Sequence, residues 1–479
     1  MRNEQLKIDF AKLDRAFNPR CVAVVGDNER RNFSWLRAES TFKGKLYSVQ
    51  KNEKTIEFIN RLGVENRTSL LNIPEAIDLV IVSVPRAVTP QILEDCIKKD
   101  VAGVHFFTAG FSETGTKEGI ELENLIIKKA REANVHLIGP NCMGIFNPGI
   151  GIRQNVGQYT DRSGPIGFIS QSGTHAGTFA LEGHIQGIDV NKSVSFGNGV
   201  ILDSTDYLEY FGQDDEIKAI GMYIEGVKDG SRFLQVIRKV ASQKPVVIWK
   251  GGRTTEGGRA IASHTASLAV SQIIWETAIR QFGGINVRSM AELIDTLKVL
   301  IHTSSVFGDR VGLVGGSGGQ SVAITDVFAE AKLKIPLLSP SSYTEFATFF
   351  TLVGGSYQNP IDNGNPSRMF LKRIVEILSR DEMIDNLVVL LSLPGGGWQS
   401  PEQLNNDIKS LINIRQDTNK PLMVIIPSLG STPERIRFAR EALLKLQNGN
   451  IPVFSTLEQG AKALKNAFDY YTFRKVTVL

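Results

Sequence analysis

Cys21-Val22-Ala23-Val24-Val25-Gly26 is an unbroken apolar run ended by a glycine. Short runs of this kind, without polar alternation, read as strands buried on both faces of a sheet. The signature returns as Leu79-Val80-Ile81-Val82-Ser83-Val84-Pro85, as Val104-His105-Phe106-Phe107 and as His136-Leu137-Ile138-Gly139. Polar helical stretches separate these runs, one of them around Ile92–Lys98. Strand, helix, strand at this spacing predicts parallel βαβ units and a doubly wound sheet. Such sheets bind ligands at the C-terminal ends of their strands. Those ends are Gly26, Pro85, Thr108-Ala109-Gly110 and Pro140-Asn141-Cys142.

The same alternation occurs twice more. Asn147-Pro148-Gly149-Ile150-Gly151 through Ser163-Gly164-Pro165 reads as a boundary. Beyond it come strands at Ile166–Ser170, Ala219–Ile224 and Val246–Trp249, and a helix over Val270–Phe282. A third block starts near Gly308, with strands at Val311–Val314, Leu387–Leu391, Leu422–Ile426 and Ile451–Phe454, and closes with a helix from Leu457. A length of 479 residues suits three domains of ordinary size. The expected fold is α/β, three consecutive doubly wound domains over 1–150, 151–305 and 306–479. The first is Rossmann-like, and the spacing allows a flavodoxin-like plan for the other two.

Composition excludes several classes. With 42% hydrophobic and 22% charged residues the chain is soluble and globular in type. A net charge of +4 is too small for a dedicated nucleic-acid surface, though local basic patches for phosphate-bearing ligands are allowed. Cys21, Cys96 and Cys142 are too few and too scattered for a disulfide framework or a zinc site, so no metal is expected and reduced thiols in the cytoplasm are. No apolar run is long enough to span a membrane.

The chemistry centres on a histidine. Strand Pro245–Lys250 leads into Gly251-Gly252-Arg253-Thr254-Thr255-Glu256-Gly257-Gly258-Arg259-Ala260-Ile261-Ala262-Ser263-His264-Thr265-Ala266-Ser267-Leu268. The glycines point to a mobile loop carrying a nucleophilic imidazole. Ser170-Gln171-Ser172-Gly173-Thr174 ends a strand and starts a helix. Helix starts offer free N–H groups and partial positive charge, which suit phosphate; a plain capped turn has the same signature. Glu225 ends another strand. A carboxylate bonded to one imidazole nitrogen fixes its tautomer and makes the other more basic, and that nitrogen can attack phosphorus. In isolation each residue also reads as an ordinary surface group.

The other turns are weaker signals. Gly26-Asp27-Asn28-Glu29-Arg30-Arg31-Asn32-Phe33 lacks the second and third glycines of a dinucleotide fingerprint, which disfavours a nicotinamide dehydrogenase. Arg30 and Arg31 either pair with phosphate or are solvated. Gly315-Gly316-Ser317-Gly318-Gly319 fits close helix packing at least as well as phosphate binding. His105 and His136 read as satisfied core residues, His302 as a helix tail and His184 as a surface helix position. His175 directly follows the serine turn and is a candidate ligand contact.

Taken in order, Leu13–Arg20, Thr108–Glu113, Gly139–Gly144, Ile169–Gly173, Tyr223–Gly230 and Ser263–Leu268 resemble the α subunit of the ADP-forming acetate–CoA ligases. These belong to the NDP-forming acyl-CoA synthetase superfamily, with succinyl-CoA synthetase a more distant relative. The resemblance implies that the first domain binds CoA, around Gly26, Asp27, Lys51, Val84, Pro85, Thr108, Ala109 and Gly110, with Asn141 near the thioester. It implies a phosphohistidine at His264, stabilised by Glu225, and a phosphate-binding turn at Ser170–Thr174. The reaction interconverts acyl-CoA, ADP and phosphate with free acid, CoA and ATP. Mg-ADP/ATP is bound by a separate ATP-grasp β subunit, in an α₂β₂ assembly. The chain departs from the family pattern at Asp27–Phe33, where relatives have a Gly- and Ser-rich turn, and at Gln50-Lys51, where an Asn-Pro pair is usual. Ala266 also stands for a glycine. A CoA- or acyl-CoA-binding regulatory protein without turnover is the alternative these departures allow.

Overall fold

The computed structural model describes residues 8–265, 271–316, 318–364, 367–395, 399–427 and 432–478. Its first sheet contains β1 (Cys21–Val25), β2 (Lys45–Val49), β3 (Glu65–Arg67), β4 (Leu79–Val82), β5 (Gly103–Phe106) and β6 (Leu137–Ile138). The order is β3-β2-β1-β4-β5-β6, with every pairing parallel. This is the 3-2-1-4-5-6 arrangement of a Rossmann-like sheet. β1, β4 and β5 are buried throughout, as helices on both faces require.

The second sheet is formed by β7 (Gly144–Phe146), β8 (Ile166–Ser170), β9 (Val190–Ser195), β10 (Ala219–Ile224), β11 (Val246–Lys250) and β12 (Ile285–Val287). Its order is β12-β11-β10-β8-β9-β7, and only β7 runs antiparallel to its neighbour. Counted from β8, the five parallel strands follow the flavodoxin-like order 2-1-3-4-5. In the third sheet, β13 (Val311–Val314), β14 (Asn386–Leu390), β15 (Leu422–Ile425) and β16 (Val453–Phe454) are adjacent and parallel. Lys334 and Ile361 bridge β13, at Arg310 and Val314, where a flavodoxin-like sheet has its second strand. The fold is therefore α/β in three sheets.

The chain forms two compact units, one ending at Arg288 and one beginning at Ser289. In the first, the two sheets are locked together. Phe17 packs on Tyr210 at 5.0 Å and on Phe211 at 5.5 Å between ring centroids. Tyr210 donates to Asp14 at 2.8 Å. Buried Arg153 donates to the carbonyls of Ala38 (2.8 Å) and Arg37 (3.1 Å). Each fully buried ring at this seam contributes about 2 kcal/mol. The strand ends of the two sheets are thereby held rigidly relative to each other, which gives the site its geometry. In the second unit, helix Met290–His302 joins its sheet through Lys298, which donates to the Val453 carbonyl at 2.9 Å.

One expectation is corrected. The segment after β11 is a loop only as far as Thr254; Thr255–Thr265 is α-helix, and His264 lies within it. The Thr254 hydroxyl accepts the Gly257 N–H at 3.0 Å, and Glu256 sits in the first turn, where it complements the helix dipole. These local signals outweigh the helix cost of Gly257 and Gly258. The His264 side chain, and Ala266 with the rest of 266–270, lie outside the described residues.

Candidate active site

The serine turn is built by its own side chains. Ser170, fully buried at the end of β8, donates its hydroxyl to the Ser172 carbonyl at 2.6 Å and accepts the Ser172 N–H at 3.2 Å. Ser172 then caps helix Gly173–Ile185, accepting the His175 N–H at 3.4 Å. The Gln171 side chain turns toward β10. Its Oε1 accepts the N–H groups of Glu225 (2.8 Å) and Gly226 (3.3 Å), while the Gln171 backbone N–H donates to the Tyr223 carbonyl at 2.9 Å. The turn and the Glu225 loop are thus one hydrogen-bonded unit.

Glu225 is half-buried, and Oε1 accepts from the Tyr223 hydroxyl at 3.2 Å. Burial, and then the Glu225 carboxylate, push the Tyr223 phenol up, so it stays protonated and donates. His175 packs against Tyr223 at 4.4 Å and Trp249 at 4.7 Å. Burial holds its imidazole below the ordinary pKa, so it is neutral at neutral pH. Lys250 Nζ donates to the carbonyls of Glu225 (2.7 Å) and Gly251 (2.6 Å). One ammonium therefore ties the Glu225 loop to the start of the His264 segment. Lys250, Tyr223 and Trp249 were not singled out in the sequence, although a Trp-Lys pair closing a buried strand is a usable signal.

The serine turn, His175, Tyr223 and Glu225 border a cleft of about 720 Å³ in the first unit. Gln171–His175, Tyr223 and Glu225 form one wall. Gly257, Ala260 and Ile261 of the His264 helix form another, and Phe107, Asn141–Met143, Gly197 and Asn198 a third. Asn141 has φ +58°, and the Asn141 carbonyl leaves no room for a Cβ at Gly197 (2.2 Å). Ser170 itself lies beneath the turn.

The remaining candidates follow the C-terminal edge of the first sheet. The Asn141 N–H donates to the Thr108 carbonyl at 3.0 Å, and the Thr108 hydroxyl donates to the Val84 carbonyl at 2.7 Å. Val84 Cγ1 stands 2.4 Å from where a Gly26 Cβ would be, so the glycine serves close strand-end packing. Val84, Pro85, Ala109 and Gly110 are accessible along this edge, and Lys51 is exposed beyond β2. Asp27 is 1% exposed and bonded internally. Of the CoA-site candidates Asn141 lines the cleft, whereas Gly26, Asp27, Lys51, Val84, Pro85, Thr108, Ala109 and Gly110 do not. His105 and His136, expected in the core, are buried and held down to about 4 by desolvation.

A Rossmann-like edge beside a cleft with an anion-suited helix start places the chain among the doubly wound α/β proteins whose strand ends form the binding site. Family models make the class specific. One described as a CoA binding domain matches residues 20–148, and one described as a succinyl-CoA ligase like flavodoxin domain matches 163–300. The α subunit of ADP-forming acetate–CoA ligase II of Pyrococcus furiosus is 32% identical over 457 residues, 94% of this chain and 96% of that one. The chain belongs to the family of ADP-forming acetate–CoA ligase α subunits. Against ADP-forming acetate–CoA ligase I of Archaeoglobus fulgidus, identity is 33% over 79% of this chain but only 55% of that one. The chain thus spans about half the length of such longer relatives. The dinucleotide-forming acetyl-coenzyme A synthetase 1 of Ca. Korarchaeum cryptofilum, solved with phosphate and ADP, matches with TM-score 0.86 and 27% identity, covering 97% of this chain and 98% of that one. The regulatory alternative is not favoured by relatives of this kind. Among the described residues no cluster of His, Cys, Asp and Glu could hold a metal, and no helix is long and apolar enough to cross a membrane.

Proposed function

We propose that this chain is the α subunit of an ADP-forming acyl-CoA ligase, with His264 as its phosphoryl carrier. The observation that carries the reading is the convergence on one cleft of the serine turn, Glu225 and the helix that contains His264. A phosphate oxygen attacks the thioester carbonyl; the C–S bond breaks, giving acyl phosphate and the CoA thiol. An imidazole nitrogen of His264 then attacks phosphorus and releases the carboxylate. ADP accepts the phosphoryl group, forming ATP and freeing the imidazole. The Ser170–Thr174 turn holds the anion by its N–H groups. Glu225 receives the other imidazole N–H and stabilises the charge that grows there.

Mg-ADP is bound by an ATP-grasp β subunit, in an α₂β₂ assembly in the cytoplasm; relatives named as α subunits support a partner. Within the chain, 1–150 serves CoA, 151–305 the phosphohistidine, and 306–479 is a second ligase domain. Incubation with acyl-CoA and labelled phosphate is expected to place acid-labile, alkali-stable label on the wild type and none on His264→Asn. Equal labelling of both, or no label on a wild type verified to bind its partner, sinks the assignment.

A further inference from the structure

In a sheet of order 3-2-1-4-5-6, the first strand-to-helix turn is where a dinucleotide's phosphate meets backbone N–H groups. In this chain most of those donors are already engaged. Asp27 Oδ2 accepts the N–H groups of Trp35 (2.9 Å) and Leu36 (3.0 Å), and Oδ1 accepts that of Asn28 (3.1 Å). The Arg30 N–H goes to the Asn28 side chain, those of Arg31 and Phe33 to the Asn28 carbonyl, and that of Asn32 to Glu29. The Gly26 N–H pairs with Val49. On the neighbouring strand end, Gln50 Oε1 accepts from Lys51 and Asn52. Asp27 is buried beneath the turn, so its carboxylate stands where an incoming anion would have to stand. Phosphate would have to displace a side chain that satisfies three buried or half-buried donors, and it would also face Glu29.

The turn's cations point elsewhere. Arg31 is exposed and stacks over the Phe107 ring at 4.7 Å, at the rim of the cleft; Arg30 and Lys51 face solvent. Between the turn and the cleft runs the edge from Val84 through Thr108 to Asn141, along which Val84, Pro85, Ala109 and Gly110 are accessible and carry no charge.

We infer that Asp27 closes the first turn to phosphate, so that the chain takes its thiol substrate by the pantetheine arm along the Val84–Asn141 edge, the nucleotide phosphates adding little. This rests on the reading of the chain as a CoA ligase subunit.

Calorimetry on the complete chain tests it with CoA, 3′-dephospho-CoA, 4′-phosphopantetheine and pantetheine. Wild type is expected to bind all four within about tenfold of one another. Asp27→Ser, which frees the Trp35 and Leu36 N–H groups, is expected to tighten CoA by about tenfold or more and leave pantetheine unchanged. A wild type that prefers CoA over pantetheine by more than about tenfold overturns the inference, whether Arg30, Arg31 or Lys51 supplies the preference. The wild-type comparison stands even if the variant fails to fold. If neither CoA nor pantetheine binds, the CoA reading falls along with this inference; intact binding with a strong phosphate preference removes the inference alone.

Discussion

Lys250 offers the sharpest test of how the site is positioned. Its ammonium makes two hydrogen bonds, to the carbonyls of Glu225 and Gly251 at 2.7 and 2.6 Å. They join the ends of β10 and β11 just beyond their last paired residues, Ile224 and Lys250. Lys250→Met keeps the length and removes every donor. A hydrogen bond to a charged group contributes about 1.5–3 kcal/mol. Against the pair stands the cost of desolvating the ammonium, which pulls the Lys250 pKa down, opposed by the Glu225 carboxylate. A net loss of about 2 kcal/mol is reasonable for one half-buried group, and it corresponds to about thirtyfold in rate. The loss should fall on the rate of His264 phosphorylation, measured by rapid quench, with the KM for acyl-CoA nearly unchanged, because Lys250 holds the Glu225 and Gly251 loops and does not line the cleft. The sign of the pH effect follows from the same group. As pH rises through its lowered pKa, Lys250 loses its charge and the two bonds weaken, so the wild-type rate falls on the alkaline side. Arginine stays charged there, so Lys250→Arg should move that limb upward. A Lys250→Met rate within about threefold of wild type refutes the positioning argument, as does an alkaline limb that Lys250→Arg leaves in place.

Two further outcomes follow from the geometry. Ser170→Ala removes both hydrogen bonds that shape the serine turn, so urea unfolding should show a loss of about 1 kcal/mol and the KM for phosphate should rise; an unchanged KM would detach the turn from anion binding. His105 and His136 are neutral when folded, with pKa values of about 4, and protonate near 6.5 when unfolded. The unfolded state therefore binds more protons between these values, and stability falls as pH falls from about 6.5 to 4, by about 3 kcal/mol for each histidine. Urea titrations of the complete chain across that range check it. His136→Gln should flatten the slope, and an identical slope in the variant rules out this source of acid sensitivity.

The continuous apolar strands were legible because burial on both faces leaves no alternation to interpret: β1, β4, β5, β8, β10, β11 and β13 to β15 all stand where such runs occur. Others were hidden for separate reasons. β3 (Glu65–Arg67) is a charged edge strand, and β2 starts with exposed Lys45. β9 is Val-Asn-Lys-Ser-Val-Ser yet fully buried. Two of its polar side chains are carried by distant partners: Lys192 pairs with Asp214 at 2.6 Å, and Asn191 donates to Ser163 at 3.1 Å. No local pattern announces a strand whose lysine and asparagine are satisfied from 22 and 28 residues away. The helix through His264 was missed for the opposite reason, since its two glycines suggested a loop while the cap at Thr254 lay in view.

The site divides along the same line. That Ser170–Thr174 and Glu225 stand side by side was readable because each depends on one strand end and the residues beside it, and the fold brings strand ends of one sheet together without further instruction. The first turn was not readable in this way. Gly26 marks a position of positive φ, +85°, and the positive φ is compatible equally with a phosphate or with a neighbouring strand. What decides between them is the path of residues 28 to 36, which carries the Trp35 and Leu36 N–H groups back onto a carboxylate eight and nine positions earlier. Phe33 supports that path from the core, buried with φ +52°, and the adjacent Trp35 ring is wedged against His105 and Phe107 at 5.1 and 5.3 Å. The apolar packing of Phe33 and Trp35 thus holds the polar closure at Asp27 in place. Trp35→Ala is consequently expected to raise the preference for CoA over pantetheine, read by the same calorimetry, even though Trp35 is buried and does not line the cleft.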